Sequence, residues 1–448
     1  MNFIDTVSNF KKKQEYNGKT AAFMTLGCKV NICETEAVEL MFSQSGYKIV
    51  PFDEKADCYI INTCSVTAMS DKKSRNMIRR AKRKNPDATV AVMGCYAQKE
   101  YKTLITMPEV NVILGTTDRK LLLDAVLKAG AQDKILLTDD VMKNRTFEEL
   151  PVSEKRDHTR AFIKIQDGCD RYCTYCIIPY LRGTVKSRSM NSVLSEVSEL
   201  AKIGYKEAVL TGIHVASYGK DTKDGSLIEL IEEINKIDGI FRIRTSSVEP
   251  LIISPEFMAR LSKCEKFCPH FHLSLQSGSD KILKAMNRRY TAEEYGRAVN
   301  LIRTYYPYAA LTTDIIVGFA GESEEDFKET CDFTDRMNFF ETHVFPYSPR
   351  EGTKAYQLKD DVSKEEKHDR AKKLIALSEK HKMAFLDKNM GKIREVLFEQ
   401  KDGEYYKGHC KNYIEVYMKS EENLINKIKR VKLTGRVNDI VYAEEVII

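Results

Sequence analysis

The sequence has no apolar run long enough to cross a lipid bilayer, and it carries little excess charge of either sign. No stretch of about 18 or more apolar residues occurs, which excludes a membrane-spanning helix. The first residues, MNFIDTVSNFKKKQEYNGK, lack the apolar core of a signal peptide, so a cytoplasmic protein is expected. The net charge is only +6, so affinity for nucleic acid would have to come from local basic patches.

What the sequence does have is length and cysteine. A chain of 448 residues accommodates two or three domains, and its 42% apolar and 30% charged content is ordinary for a globular protein. Twelve cysteines in a long chain without a signal segment indicate a reducing compartment and metal ligation rather than a disulfide framework.

Three cysteines lie together in one short loop, QDGCDRYCTYCIIPYLRG at Gln166–Gly183. Cys169, Cys173 and Cys176 have the spacing C-x3-C-x2-C and directly follow a predicted strand, Ala161–Gln166. Iron–sulfur clusters are held by closely spaced Cys thiolates, normally four, so this loop would leave one iron open to another ligand. Zinc is an alternative, although no second cysteine pair follows closely. A turn of three thiols without a metal is a further alternative.

The N-terminal third alternates short apolar runs with helix-like runs, which predicts a parallel α/β sheet. The predicted strands are Thr20–Thr25, Cys58–Asn62, Thr89–Met93 and Val110–Leu114, and the predicted helices lie near Glu34–Ser45, Asp71–Lys84, Ala97–Thr106 and Asp118–Lys128. Cys28, Cys64 and Cys95 each follow one of these strands. Because the carboxyl ends of parallel strands meet at one edge of a sheet, the three cysteines are expected to converge there. Burial of each as a small apolar residue is the alternative.

The central part of the chain repeats strand–helix units, which predicts a partial (βα)6 barrel with its chemistry at the carboxyl ends of the strands. The six predicted strands are Ala161–Gln166, Glu207–Thr211, Phe241–Ser246, Phe271–Gln276, Leu311–Val317 and Thr342–Pro346. Polar residues alternate along several of them, as in His270, His272, Ser274 and Gln276, Arg242 and Arg244, and Lys164 and Gln166. Such a polar lining indicates a cavity for a polar ligand. A histidine in it is more simply a hydrogen-bonded wall residue than a catalyst.

The last sixty residues change to period-two runs, which predict a small five-stranded, OB-like β-barrel that binds RNA or serves as a structural cap. Its basic side chains cluster at Lys427, Lys429, Arg430 and Lys432. A second basic cluster lies on the predicted helix Asp71–Lys84 and includes Arg75, Arg79 and Arg83. Both clusters are candidate RNA-phosphate contacts, and a solvated helix face is the alternative for the second.

Several of these segments resemble one family. CDRYCTYC resembles the cluster motif of the radical S-adenosylmethionine (SAM) enzymes, and TLGCKVN, NTCSVT and GCYAQ resemble the N-terminal motifs of the methylthiotransferases. The C-terminal strands resemble a TRAM RNA-binding domain. The resemblance covers nearly the whole chain and is strongest to the tRNA threonylcarbamoyladenosine methylthiotransferases, on SSVEP and CPHFHLSLQSGSD. It implies a methylthiotransferase domain at 18–130, a radical SAM domain at 155–385 and a TRAM domain at 388–448.

The resemblance also implies cofactors and site residues. Cys169, Cys173 and Cys176 would hold one 4Fe–4S cluster that binds SAM, and Cys28, Cys64 and Cys95 would hold an auxiliary 4Fe–4S cluster. The residues implied at the SAM site are Tyr175, Thr211, Gly212, Ser274, Gln276 and Gly318. No catalytic residue beyond the cluster ligands is implied.

The implied activity is methylthiolation at C2 of N6-threonylcarbamoyladenosine at position 37 of tRNA. The alternatives are N6-isopentenyladenosine at the same position, a ribosomal-protein aspartate, or an iron–sulfur RNA-binding protein without catalysis. The implied partners are a tRNA anticodon stem-loop, an electron donor of flavodoxin or ferredoxin type, and a sulfur source that the resemblance does not identify.

Overall fold

The N-terminal unit is a six-stranded parallel sheet flanked by helices. The computed structural model describes residues 18–129, 134–152 and 159–446, so the domain limits expected near 130, 155 and 448 lie outside the described residues. The strands follow the order β2-β1-β3-β4-β5-β6. Their bounds are β1 Thr20–Thr25, β2 Lys48–Val50, β3 Cys58–Thr63, β4 Thr89–Gly94, β5 Val112–Leu114 and β6 Ile135–Leu137. Every residue of β3 is buried, as expected for a parallel strand with helices on both faces.

The helices of this unit are α1 Lys29–Gln44, α2 Ala68–Lys84, α3 Cys95–Thr106 and α4 Leu122–Lys128, and Arg119–Leu121 forms a 3-10 turn. The four predicted strands and four predicted helices are confirmed, whereas the three-residue strands β2 and β6 were not predicted. Helix α2 starts at a Thr67 cap that accepts from the Ser70 amide, and its last turn carries Lys82, Arg83 and Lys84. The cap stabilises the N-terminal end of this helix, and the basic side chains stabilise its C-terminal end.

The central unit is the expected partial barrel of six parallel strands. Strands β7, β10 and β11 form one three-stranded sheet, and β12, β13 and β14 form another, and isolated bridges between Ile243 and Phe267 and between Val248 and Leu273 join the two. The bounds are β7 Arg160–Lys164, β8 Gln166–Asp167, β9 Lys186–Ser187, β10 Glu207–Thr211, β11 Arg242–Thr245, β12 His270–His272, β13 Ala310–Val317 and β14 Glu341–Pro346. Strand β12 is shorter than predicted, and beyond it Gln276, with a left-handed φ of 75°, forms only an isolated bridge to Ile315.

Helices cover the outside of this barrel. They are α5 Ile178–Arg182, α6 Met190–Lys202, α7 Leu227–Asn235, α8 Pro255–Leu261, α9 Asp280–Ala285, α10 Ala292–Tyr305 and α11 Glu324–Met337, with 3-10 turns at Val215–Ser217, Pro250–Ile252 and Lys354–Gln357. Ile163, Leu210, Leu273 and Leu311 are buried in the main core between strands and helices. Because side chains alternate along a strand, the residues between them face the barrel interior.

A long helix, α12 Lys364–Asp387, connects the barrel to a closed five-stranded β-barrel with strand order β15-β16-β17-β19-β18. These strands are β15 Ile393–Asp402, β16 Tyr405–Cys410, β17 Glu415–Lys419, β18 Ile428–Val437 and β19 Ile440–Glu445. Their inward side chains, among them Val396, Phe398, Val431 and Leu433, are fully buried in a core of their own. Full closure removes the exposed strand edges. Among the described residues, no helix has both the length and the apolar character needed to cross a bilayer.

The C-terminal barrel docks onto charged side chains at the base of the central barrel. Arg242 donates to the carbonyl of His409 at 2.7 Å and to that of Glu395 at 2.9 Å. Arg244 donates to the carbonyl of Lys411 at 3.1 Å and, through Nε, to Glu207 at 3.0 Å. The expectation that these two arginines line a ligand cavity is therefore wrong, because their guanidinium groups are buried and donate to carbonyls of the C-terminal barrel.

We expect Arg242→Met to loosen this docking, because it removes the donor to two part-buried carbonyls and a counter-charge of the buried Glu207. The free energy of unfolding should fall by about 2–4 kcal/mol, and the chain after α12 should become more sensitive to limited proteolysis. Arg297→Met, in an exposed pair with Glu293, is the control and should change stability by less than about 0.5 kcal/mol. Equal effects of the two substitutions would contradict the docking role.

Candidate active site

The three N-terminal cysteines come together at the carboxyl edge of the sheet. Cys28 precedes α1, Cys64 follows β3 and Cys95 begins α3, and the strands before them are neighbours in the order β1-β3-β4. A Cβ placed on Gly27 would lie 3.2 Å from the Cys64 Sγ, so the loop before Cys28 passes directly over Cys64. Burial raises the pKa of Cys95 to about 12, and the proximity of Cys64 and Cys28 adds to the rise. The topology therefore forms one group of three thiols.

Asn31 holds two parts of this group together. Its side-chain amide donates to the carbonyls of Leu26 at 2.7 Å and Thr63 at 3.1 Å, which precede Cys28 and Cys64. Its oxygen accepts from Arg182 at 2.8 Å. Asn31 is fully buried, so these bonds have no competition from water.

The second group of thiols is formed by the loop after the first barrel strand. The Cys169 amide donates to the Gly183 carbonyl at 3.0 Å, and the Cys176 amide donates to the Cys173 carbonyl at 3.0 Å. Gly168 has a left-handed φ of 69°, and a Cβ there would lie 1.8 Å from the Thr184 carbonyl oxygen, so only glycine fits. The loop is thus held by its own backbone.

Both groups fit an anionic iron–sulfur cluster. Burial raises the pKa of Cys169 to about 11 and that of Cys176 to about 12, and the neighbouring Cys173 raises both further. Three thiols that cannot easily ionise alone become good ligands once a metal compensates their charge. Arg288 Nη1 lies 3.3 Å from Cys173 Sγ, where it can donate to a thiolate. Among the described residues, all cysteines are free of disulfides.

The two groups of thiols are next to each other. Cys95 packs in one small apolar cluster with Ile177 and Leu181, which directly follow Cys176 in the chain. The Thr116 hydroxyl also donates to the Leu181 carbonyl at 2.5 Å, which ties the N-terminal sheet to α5. Helix α5 therefore forms a short bridge between the two candidate cluster sites.

Below this bridge lies a buried network of charges that we call the interdomain ion-pair network, made of Glu34, Arg119, Lys164, Asp167 and Arg182. Arg182 Nη1 donates to Glu34 at 2.9 Å and to Asp167 at 3.1 Å. Lys164 donates to the same two carboxylates at 2.8 and 2.6 Å, and Arg119 Nη2 lies 2.7 Å from Glu34. All five side chains are buried.

The network keeps both carboxylates ionised. Burial alone would raise the pKa of Glu34, but Arg119, Arg182 and Lys164 outweigh it and hold that pKa well below its usual range. Burial would likewise raise the pKa of Asp167, and Arg182 and Lys164 bring it well below its usual value. Glu34 belongs to the N-terminal unit and Asp167 to the cysteine loop, so the cations between them join the two halves of the site.

The residues expected at the SAM site lie at the carboxyl ends of three barrel strands. Thr211 ends β10 and Gly212 follows it, Ser274 and Gln276 follow β12, and Gly318 follows β13. A Cβ on Gly212 would lie 2.9 Å from Gln166 Oε1, so only glycine allows the end of β10 to lie this close to Gln166. Their individual contacts to SAM stay a prediction.

Three of these positions are held by specific contacts. The Ser274 carbonyl accepts from Arg288 Nη2 at 3.1 Å and from the Tyr290 hydroxyl at 2.5 Å. The Gly318 amide donates to Glu322 Oε1 at 2.8 Å. Tyr175 packs edge-on against Phe319, with ring centroids 6.5 Å apart.

Two groups of polar side chains at the barrel interior were not assigned from the sequence. Glu249, in SSVEP, is buried beside Arg171 and His214, whose Nε2 lies 3.5 Å away. Burial alone would raise the pKa of Glu249, but His214 and Arg171 lower it below its usual value. The available signal was that each residue lies in the loop that follows a predicted strand.

The second unassigned group is His272, Asp314 and His343, on the adjacent strands β12, β13 and β14. The potential ligand atoms of the three side chains lie within 4.8 Å of one another. His272 Nε2 is 3.1 Å from Asp314 Oδ2, and its Nδ1 is 2.9 Å from the Thr312 hydroxyl. Such a group can bind a divalent cation or hydrogen-bond a polar substrate group. The sequence predicted His272 as a hydrogen-bonded residue of the barrel wall. The positions of Asp314 and His343 beside it depend on how strands β12, β13 and β14 pair.

Some of the predicted RNA-binding side chains already have a partner within the protein, and others are exposed to solvent. Arg75 turns inward and donates to the Tyr96 hydroxyl at 3.0 Å, whereas Arg79 and Arg83 are exposed on α2, with Arg79 at 4.0 Å from Glu109. In the C-terminal barrel, Lys427 and Lys429 pair with Glu422, and Arg430 and Lys432 are exposed. Exposed and unneutralised cations are the better candidates for phosphate contact.

Comparison with known proteins agrees with this architecture. Residues 163–334 match the Radical SAM superfamily, and residues 20–115 match the uncharacterized protein family UPF0004. The chain is 41% identical to the threonylcarbamoyladenosine tRNA methylthiotransferase MtaB of Bacillus subtilis, over 92% of this chain and 93% of that protein. It is 37% identical to the tRNA-2-methylthio-N(6)-dimethylallyladenosine synthase of Natranaerobius thermophilus, over 93% and 95% of the two chains.

Among solved structures, the radical SAM methyltransferase TsrM of Kitasatospora setae superposes with a TM-score of 0.50 at 14% identity, covering 74% of each chain. This likeness shows a shared fold.

We expect Glu34→Gln to destabilise the protein by about 3–5 kcal/mol at pH 7, because it leaves buried cations uncompensated. Since the pKa of Glu34 is depressed in the folded state, its contribution is present above the unfolded pKa of about 4.3 and is lost as the pH falls through the folded pKa. The difference between wild type and variant in urea unfolding should therefore shrink in acid.

The control for this substitution is Glu233→Gln, which removes one member of an exposed pair with Lys236. It should cost less than about 1 kcal/mol at any pH. A pH-independent difference for Glu34→Gln would contradict the electrostatic role of the network.

Proposed function

Because this chain belongs to the radical SAM tRNA methylthiotransferases, we propose that it inserts a methylthio group at C2 of N6-threonylcarbamoyladenosine at position 37 of tRNA. The product would be 2-methylthio-N6-threonylcarbamoyladenosine. The observation that carries the proposal is the juxtaposition of two groups of three thiols, joined through the contact of Cys95 with Ile177. Relatives bearing the threonylcarbamoyladenosine name support this base as the substrate.

The residues present fit two 4Fe–4S clusters and SAM. Cys169, Cys173 and Cys176 would hold one cluster, and the other would be held by the N-terminal group, Cys28, Cys64 and Cys95. Three ligands per cluster leave one iron of each open, because a 4Fe–4S cluster normally takes four. When bound, these groups supply the one-electron chemistry that an unactivated aromatic C–H bond requires, since such a bond has no acidic proton and no leaving group.

The protein's own side chains position these groups and balance their charge. Arg288 can donate to Cys173, and the same guanidinium donates to the Ser274 carbonyl, so it ties the cysteine loop to the end of β12. Arg182 has a similar role beside the N-terminal group of cysteines. Its positive charge lowers the pKa of Cys95, whereas burial raises it. Because these cations are already fixed in place, they stabilise nearby negative charge without having to reorganise during the reaction.

The RNA partner would be the anticodon stem-loop. We place its phosphates on exposed cations of α2, chiefly Arg79 and Arg83, and on Arg430 and Lys432 of the C-terminal barrel. Small OB-like barrels bind oligonucleotides on one strand face, and phosphate contacts dominate such affinity. An electron donor of flavodoxin or ferredoxin type and a separate sulfur source complete the proposed set of partners.

A second candidate substrate is N6-isopentenyladenosine at the same position. It is favoured by the relatives that are named for dimethylallyladenosine, which are similar over the same length of chain. The two substrates require the same clusters and the same base position. They differ in the polarity of the N6 substituent.

Nucleoside analysis of tRNA tests the proposal. In cells lacking the gene, mass spectrometry should show loss of 2-methylthio-N6-threonylcarbamoyladenosine and accumulation of its precursor. Wild-type protein should restore the product, whereas Cys95→Ala and Cys176→Ala should not, and each purified variant should lose about half of its iron. Cys331→Ala, outside both groups, is the control and should behave as wild type.

The other outcomes of this experiment separate the candidates. Loss of the methylthio-isopentenyl nucleoside would transfer the activity to the second substrate. Unchanged nucleosides together with normal iron content would leave the ribosomal aspartate or a non-catalytic role.

For the RNA face, we expect Arg79→Ala and Arg83→Ala each to weaken binding of an anticodon stem-loop regardless of its sequence. Each lost phosphate contact should reduce the slope of log affinity against log salt by about 0.7–0.9. Fluorescence anisotropy across a salt series measures this slope. Lys202→Ala, an exposed lysine of the central barrel, is the control, and an equal effect there would contradict a role specific to α2.

A further inference from the structure

Three side chains on the inner face of the barrel form a cluster that the proposed function does not use. His272, Asp314 and His343 lie on the neighbouring strands β12, β13 and β14, and their potential ligand atoms lie within 4.8 Å of one another. In the strand register His272 is opposite Thr312, and Asp314, two residues further along the same face of β13, is opposite His343. Strand pairing therefore holds the three backbones in fixed positions.

The backbone around Asp314 is also tied to a residue expected at the SAM site. The Asp314 carbonyl accepts from the Gln276 amide at 2.8 Å, and the Gln276 carbonyl accepts from the Ile316 amide at 2.9 Å. Side chains that project from bonded strands are positioned more precisely than those on loops. The cluster is thus a rigid group beside the expected SAM site, made of other side chains.

Asp314 differs from other carboxylates of the barrel strands and loops in the partner that it has. Glu207 and Glu249 are buried, and each pairs with arginine side chains. Over the residues that the structure describes, Asp314 pairs only with His272, and an imidazole is not a permanent cation. This partly buried carboxylate therefore lacks a fixed counter-charge, which a bound cation would supply.

A hydrogen bond to Thr312 orients His272 as a ligand. Its Nδ1 is 2.9 Å from the Thr312 hydroxyl, and its Nε2 is directed at Asp314, 3.1 Å from Oδ2. Metal-binding histidines are commonly held in this way through their other ring nitrogen. Two ligands about 2.0 Å from a tetrahedral zinc ion lie roughly 3.3 Å apart, so His272 and Asp314 already have the separation of two ligands on one ion.

His343 completes the set as the adjustable member. Its ring stacks on that of His272 with centroids 5.7 Å apart, and its side chain is exposed. Among the described residues, none hydrogen-bonds its imidazole. A rotation of this unrestrained side chain brings a ring nitrogen to an ion held by the other two residues, without movement of the backbone.

We propose that His272, Asp314 and His343 bind one divalent transition-metal ion of the class that zinc represents. Such ions accept two imidazoles and a carboxylate, whereas magnesium and calcium prefer oxygen ligands. Three protein ligands leave the fourth position of a tetrahedral ion open, as in zinc sites that also bind water or substrate. The inference does not depend on the proposed function, because none of the three side chains is expected to hold a cluster or SAM.

Zinc binding to the purified enzyme tests this site. Both cysteine groups are first loaded with iron and sulfide, so that their thiols do not compete for zinc. Titration calorimetry with zinc chloride should then show one ion bound per chain. Zinc K-edge X-ray absorption should show only nitrogen and oxygen neighbours at about 2.0–2.2 Å, because a thiolate sulfur would appear at about 2.3 Å.

Four variants assign the ion to these residues. Asp314→Asn and His343→Ala each remove one ligand and should weaken zinc binding by at least about tenfold, since loss of an outer partner alone costs about 10–100-fold. Thr312→Val removes only the outer partner of His272 and should fall within that range. His368→Ala, at an exposed histidine of α12, is the control and should bind zinc as wild type does.

The result at His343 decides the proposal even where the more buried substitutions disturb the fold, because this side chain is exposed. Equal zinc affinity of wild type and His343→Ala overturns the site. So does a wild-type protein that binds no zinc, or one whose absorption spectrum shows sulfur neighbours. Zinc binding is measured without tRNA, so failure of this site and failure of the proposed methylthiolation are separate results.

Discussion

The arrangement of the site depends on a buried set of charges shared by two domains. Glu34 comes from the first helix of the N-terminal sheet and Asp167 from the cysteine loop of the barrel, and Arg182, Lys164 and Arg119 lie between them. Removing charges from water is costly, and the cost is recovered only when every charge keeps its partners. The two domains are consequently held in one relative position, and that position brings Cys95 beside the residues that follow Cys176.

The two groups of thiols arise in physically different ways. Cys169, Cys173 and Cys176 are close because a short loop, closed by its own backbone bonds and by Gly168, leaves them little freedom. Cys28, Cys64 and Cys95 are far apart in the chain and meet because three neighbouring parallel strands end at one edge. Asn31 and Arg182 then connect this edge to the barrel, so the two groups of cysteines lie in one site.

The polar lining of the central barrel serves two separate purposes. At the base, Arg242 and Arg244 bind carbonyl groups of the C-terminal barrel, and Tyr413 of that barrel stacks on His270 with ring centroids 4.3 Å apart. Further along the strands, His343 is exposed and lies beside His272 and Asp314. The C-terminal domain therefore covers the base of the central barrel.

The sequence by itself determined the elements and the local chemistry. Strand periodicity, the spacing C-x3-C-x2-C and the cysteines at strand ends depend on residues near one another in the chain, so the three-part fold and both cysteine groups could be predicted. Only the tertiary structure decided which polar side chains are already paired. Arg242, Arg244 and Arg75 look like free ligand-binding cations in the sequence, but their partners lie in distant segments. Electrostatic pairing depends on distances of a few ångströms between residues hundreds of positions apart, and folding alone sets those distances.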